Sequence, residues 1–240
     1  MSTGWSRDIC HSPLLGSAPD VHKRVPRVTG RRPSTSSRRE GKELTRQALL
    51  RAALKLLSRN SFDSISLREV TREAGISPTA FYRHFDGMEE LGLVLVEESF
   101  GSLRQMLRTA RADPNMYHDA IRRSVVAVVQ HVRDHGGHMR FIARERHGGV
   151  RLLRRAINRE LQLFSDELSV DLAAFPIIGT WPTDDRRMFA GLVVETMVAM
   201  AAALIDASPD EEAEIEARTE RQLRLIALGV PYWLPVARRA

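Results

Sequence analysis

Ser77, Thr79, Tyr82, Arg83 and His84 crowd into one short segment, SPTAFYRHF (77–85). Their chemistry suits an anionic, hydrogen-bonding surface. Hydroxyl groups donate to phosphate oxygens, an arginine fork matches O6 and N7 of guanine, and the start of a helix favours phosphate. Ser77 is placed to cap a helix, and Pro78 tolerates its first turn because no amide partner is needed there. Ala80, Phe81 and Phe85 fall on the opposite side and anchor the segment inward. Ala80 reads equally well as a small residue approaching a thymine methyl group.

Positioning these groups requires the residues before them. In SLREVTREAG (66–75) Ser66 opens a helix and Glu69 completes a capping box, each satisfying a free amide of the other. Leu67, Val70 and Ala74 form its apolar side, and Gly75 ends it. Only Gly-Ile-Ser separates the two helices, which is the sequence form of a helix-turn-helix. A preceding helix over 43–59 offers Leu44, Ala48, Leu50, Ala53, Leu54 and Leu57 as the face that receives both. In such a unit the first helix crosses the DNA backbone and the second presents its N-terminal residues to the major groove. An ordinary helical corner with its polar residues in solvent has the same spacing, so spacing alone leaves both readings open.

Beyond this unit the chain reads as helix throughout. Asp86 is placed to cap a long helix that Asp113-Pro114 ends near Arg111. Further helices are expected near 117–134, 138–146, 149–172, 183–206 and 210–229. Breaks fall at His135-Gly136-Gly137, at His147-Gly148-Gly149 and from Phe175 to Pro182. With no period-2 strand and no internal repeat, the fold class is all-α, with about nine helices. The divisions are a disordered basic arm (1–42), a helix-turn-helix domain (43–88), a helical ligand-binding and dimerisation domain (89–233) and a tail (234–240).

Charge and composition narrow the classes. The net charge of +6 lies wholly in residues 1–42, where nine basic residues face three acidic ones; residues 43–240 balance. A uniformly basic nucleic-acid binder is excluded. A single cysteine, Cys10, excludes an internal disulfide framework. The N-terminus lacks the apolar core of a signal peptide. The run from Met188 to Ile205 has transmembrane length, but Glu195 interrupts it and alanine dominates, so a helix buried in a bundle or dimer seam is expected. His131 and His135 have metal-binding spacing, yet no carboxylate or thiolate completes a shell, so no metal is expected. Phosphate-loop, G-x-S-x-G and H-E-x-x-H motifs are absent, so neither catalysis nor a cofactor is expected.

The segment SLREVTREAGISPTAFYRHF, with the following DGMEEL (86–91), resembles the DNA-binding signature of the TetR family of bacterial transcription regulators. FYRHFDGMEELGLVLVEES and RFIARERHGGVRLLRRAINREL (140–161) are similar to the subgroup that represses unsaturated fatty acid biosynthesis. The likeness spans roughly 43–233, and the first 42 residues lie outside it. It implies DNA contacts by Arg68, Thr79, Ala80, Tyr82, Arg83 and His84, with Ser77 and Pro78 opening the reading helix. Lys42, Thr45 and Arg46 would touch phosphates.

It also implies a cytoplasmic homodimer on a palindromic operator. The dimer would be sealed by the last two long helices, with Ile215, Leu223, Ile226 and Ala227 as one stripe. The implied effector is a small hydrophobic molecule, a long-chain acyl-CoA or acyl carrier protein thioester. Candidate lining residues are Phe100, Leu103, Val128, Phe141 and Met197. Arg140, Arg144 and Arg146 would form an electropositive mouth; their alternative is a solvated basic face. A repressor of efflux or detoxification genes is the nearest competing reading. A helical adaptor that does not bind DNA is the competitor from another class.

Overall fold

The computed structural model describes residues 35–111 and 119–233; the arm before residue 35 with Cys10, the Asp113-Pro114 break and the tail 234–240 lie outside them. Within the described residues the elements are α1 (Thr35–Leu57), α2 (Leu67–Ala74), α3 (Pro78–Phe81), α4 (Met88–Arg111), α5 (Ala120–Asp134), α6 (Gly136–Glu145), α7 (Arg151–Leu172), α8 (Thr183–Leu204) and α9 (Pro209–Leu228). Short 3-10 turns at Phe62–Ser64, Ile178–Thr180 and Val230–Tyr232 fill the connections. The described residues form helices and turns, with no strand among them.

Several joints differ from the sequence expectation. Helix α1 begins at Thr35, well ahead of Glu43 and inside the segment expected as a disordered arm. Helix α4 opens at Met88, and its first turn is held by the Glu90 carboxylate, which accepts from the Asp86 amide. His135-Gly136-Gly137 is no loop. The His135 amide donates to His131 O (2.9 Å) and the Met139 amide to His135 O (3.0 Å), so helical bonding passes straight through the joint. His135, at φ −127°, only bends it.

One core runs through the expected domain boundary at 88–89. Leu49, Leu50, Val70, Phe81 and Phe85 belong to the same buried cluster as Leu95, Phe100, Leu153 and Phe164. Phe62 packs on Phe141 with ring centroids 6.3 Å apart. Gly92 makes this contact possible, because a Cβ there would meet Phe62 at 2.7 Å and Leu153 at 2.9 Å. A second cluster joins α5, α8 and α9 through Val125, Val129, Met200, Ile215 and Leu223. Ile215 and Leu223, expected on an outward seam, are therefore core of their own chain, and Ile226 packs against them.

Helix α8 is long and apolar enough to cross a membrane by length and composition, yet only 17 % of its apolar window is buried within the chain. Burial within its own bundle is therefore slight, and of the two expected settings the dimer seam concerns a second copy. Met188 and Leu192 on α8, and Leu225 and Leu228 on α9, stand exposed.

Candidate functional site

Local bonds fix the angle between α2 and α3. The Ser66 hydroxyl accepts from the Glu69 amide (3.3 Å) while the Glu69 carboxylate accepts from the Ser66 amide (2.8 Å). The Ser66 hydroxyl, which also donates to the Glu69 carboxylate (2.7 Å), and then the Ser66 amide hold the Glu69 carboxyl below its ordinary range. Gly75 ends α2 at φ +66°, a left-handed conformation that L side chains adopt only with strain. Its turn is closed by Ile76 N donating to Thr71 O (2.9 Å). The Ser77 hydroxyl then accepts from the Ala80 amide (3.2 Å), leaving its own proton free for a partner outside.

The segment 77–85 is shorter as a helix than its sequence suggests. After Phe81 it continues as tight turns, with His84 N donating to Phe81 O (2.9 Å) and Phe85 N to Phe81 O (3.1 Å). Phe81 and Phe85 are fully buried, 5.5 Å apart between centroids. Ser77, Pro78, Thr79, Tyr82 and Arg83 are exposed, Tyr82 by 60 %, and Ala80 is half-buried. Arg68 on α2 is also exposed.

The middle of α1 comes alongside this surface. The Arg46 guanidinium lies 5.1 Å from the centroid of the Phe85 ring. Burial, followed by repulsion from Lys42, Arg46 and Arg83, pushes the His84 pKa below its ordinary value. Three basic residues from two elements therefore converge on His84, and a neutral His84 retains an N–H to donate. Thr45 is differently disposed: its hydroxyl donates to Gly41 O (2.8 Å), so it must rotate before giving that proton to a phosphate.

The body holds a cavity of about 350 Å³ between α4, α5, α6, α7 and α8. Of the expected lining residues, Phe100, Leu103, Val128, Met197 and Arg146 border it. Phe141 does not; it is buried against Phe62 instead. Nor do the three arginines form one mouth. Arg140 bonds Asp206 (2.6 Å) and Ile205 O (3.2 Å). Arg144 donates to Leu57 O (3.1 Å) and Asn60 O (2.6 Å), covering free carbonyls at the end of α1. Arg146 alone reaches the rim, where it meets Glu195 at 2.7 and 2.8 Å.

The burial of two polar features escaped the sequence reading. Glu145 is shut inside, accepting from the Phe62 amide at 2.9 Å, and so ties α6 to the turn after α1. A side chain at Gly148 would strike this carboxylate, which accounts for the glycine after His147. His131 and His135 stack at 4.3 Å, and the Ser99 hydroxyl lies 2.9 Å from His138 Nδ1. Burial first, then neighbouring His135 and His138, pushes the His131 pKa down to about 4. Among the described residues no three His, Cys, Asp or Glu side chains are grouped to hold a metal ion.

Residues 49–93 match the family model of the bacterial regulatory proteins of the tetR family. The whole fold is similar to that of the fatty acid degradation regulator FadR from Bacillus halodurans. That likeness has a TM-score of 0.64 at 15 % identity, covering 78 % of this chain and 96 % of that one. A transcriptional regulator from Rhodococcus sp. Rha1 superposes with a TM-score of 0.61 at 18 % identity, over 79 % and 99 % of the two chains. Salmonella enterica GusR does so with 0.60 at 20 % identity, over 76 % and 94 %.

Proposed function

We infer that this chain, a TetR-family transcriptional regulator by its residues 49–93 and its fold, acts as a homodimeric repressor whose hold on a palindromic operator is set by a small apolar effector. The observation that carries the DNA part is the division of the segment 77–85. Phe81 and Phe85 are sealed into the core while Ser77, Thr79, Tyr82 and Arg83 are left facing solvent beside Lys42 and Arg46. We assign Arg83 to a base edge, and Tyr82, Thr79, His84, Lys42 and Arg46 to phosphates. Arg68 guards the flank from α2. Ala80, half-buried, is close enough to the surface to meet a thymine methyl group.

The dimer is assigned to α8 and α9. Two half-sites one DNA turn apart require two reading units in fixed relation. The exposed apolar side chains Met188, Leu192, Leu225 and Leu228 supply a face to join them. Covering this face accounts for an apolar helix that its own chain leaves bare, and is consistent with a cytoplasmic protein.

The effector is assigned to the cavity, whose walls are mainly apolar. Helix α6 borders it through Met139, Ile142 and Ala143, with Arg146 at its end, while touching the end of α1 through Arg144 and the following turn through Glu145. A ligand that shifts α6 therefore acts on the support of the reading unit. For the regulated genes we propose fatty acid, especially unsaturated fatty acid, biosynthesis, with acyl thioesters as effectors. Support comes from the likeness of residues 140–161 to that subgroup. The similarly folded FadR, a fatty acid degradation regulator, is a relative in shape.

The test is titration of the protein–promoter complex with saturated and unsaturated acyl-coenzyme A, read by fluorescence anisotropy. A shift in DNA affinity with one or both is expected. No shift with either removes the acyl reading and leaves the DNA reading standing.

A further inference from the structure

The contact between Arg146 and Glu195 sits at the rim of the cavity, and its two partners are unequal. The Arg146 side chain is 20 % exposed and the Glu195 side chain 60 %. One guanidinium nitrogen of Arg146, Nη2, serves both carboxylate oxygens, at 2.7 and 2.8 Å. Its Nη1 and Nε make no hydrogen bond among the described residues, so Arg146 keeps donors to spare. Around the pair the cavity surface is apolar, with Phe100, Leu103, Val128 and Met197 on its walls. Ser124 and His147 are the other polar side chains that border it.

Leaving this pair costs the two residues differently. Glu195 can swing into water and be fully solvated. Arg146, set against an apolar wall, loses its counterion without regaining a full hydration shell, which is the costly half of breaking a partly buried pair. The replaceable member is therefore the carboxylate. A guanidinium recognises another carboxylate or a phosphate with the same geometry. A cationic head would instead have to expel the deeper-set arginine.

We propose that Glu195 is a built-in stand-in for the ligand: the cavity takes an apolar chain with an anionic head, and that head replaces Glu195 on Arg146. At about 350 Å³ the cavity lies near the small end of ligand sites. It fits an apolar chain of medium length with its head at the rim. Glu195 also lies on the exposed side of α8, in helical register with Leu192 and Ala199. Its release places a free carboxylate at the edge of the face assigned to the second copy, so occupancy acts on the dimer as well as on α6. The inference rests on the reading of this cavity as the effector site.

Two probes separate head from chain: decanoate, ionised at pH 7.5, and decanol, of equal chain length and uncharged. Binding to the full chain is measured by isothermal titration calorimetry. Decanoate is expected to bind at least tenfold tighter than decanol. Glu195→Gln removes the competitor and is expected to tighten decanoate several-fold without moving decanol. Arg146→Gln is expected to abolish the preference for decanoate, with the thermal unfolding midpoint of each variant recorded to exclude misfolding. Equal binding of the two probes to the native chain, or a Glu195→Gln variant that tightens neither, overturns the exchange. Promoter binding by the unliganded native protein is measured in parallel. Its loss would count against the regulator reading itself, whereas failure of the exchange leaves it intact.

Discussion

The reading end and the body of this protein are built in opposite senses. At the reading end the apolar side chains Val70, Phe81 and Phe85 are sealed inside, and the polar side chains of Thr79, Tyr82 and Arg83 stand outside. In the body, polar groups such as His131 and Glu145 are shut inside while Met188, Leu192, Leu225 and Leu228 lie on the surface. In the proposed function each inversion marks a surface completed by something else: phosphate and base edges for the face of donors, another apolar face for the face of methyl groups. Net charge could not have shown this, since residues 43–90 hold seven basic and seven acidic side chains. Placement carries the recognition.

The contrast can be broken at several points. The largest effect is expected for Phe81→Ala, which empties a fully buried site under the reading segment. A loss of about 3–5 kcal/mol in urea denaturation is expected, with DNA binding lost as well. A smaller loss of stability with DNA binding kept would show that the segment does not depend on its anchor.

Leu192→Glu probes the other surface. Leu192 is half exposed in the single chain, so helicity by circular dichroism should be unchanged. Sedimentation velocity should show a monomer, and operator affinity should fall by about 2 kcal/mol or more, as for a truncated interface anchor. An unchanged dimer would place the seam elsewhere.

Arg83→Ala is expected to cost roughly 1–3 kcal/mol and to relax preference at one base pair. A uniform loss over all sequences would make Arg83 a phosphate contact. Gly75→Ala forces a side chain into φ +66°, and about 1–2 kcal/mol should be lost in denaturation.

The mildest test uses pH. Burial, with His135 and His138 adjacent, holds the His131 pKa at about 4, below its unfolded value, while Asp134 opposes the shift. The unfolded chain therefore binds more protons in this range. The contribution of His131 is intact above pH 6.5 and is lost as pH falls toward 4. Between pH 7 and 5.5 this amounts to about 1 kcal/mol. His131→Leu should flatten that slope; an unchanged slope would assign it to other groups.

Much of the reading end was legible because its signals are local. Ser66 with Glu69, Gly75, and Ser77 with Pro78 each act within a few residues, and each appears as read. The same logic would have placed the start of α9 at Ser208-Pro209, whose capping box with Glu211 follows the same pattern. What local signals miss is the distant partner. Arg140 and Arg144 lie on α6 and Arg146 just past its end, but their acceptors lie in the turn after α8, at and after the end of α1, and on α8 itself. Ile215 and Leu223 form a stripe that could face a second copy or its own chain, and only the position of α5 decides between them. Phe141 is apolar at helical spacing, like the lining residues, and the side it faces is set by Phe62.

The central claim, that the exposed polar side of residues 77–85 reads DNA, is tested most directly by salt-dependent binding to the protein's own promoter against a scrambled duplex, measured by fluorescence anisotropy. Tighter binding to the promoter is expected, with affinity falling steeply as salt rises, as phosphate contacts require. Arg83→Ala should reduce the gap between the two duplexes. Equal binding to both duplexes by the native protein, or binding to neither, would contradict the account.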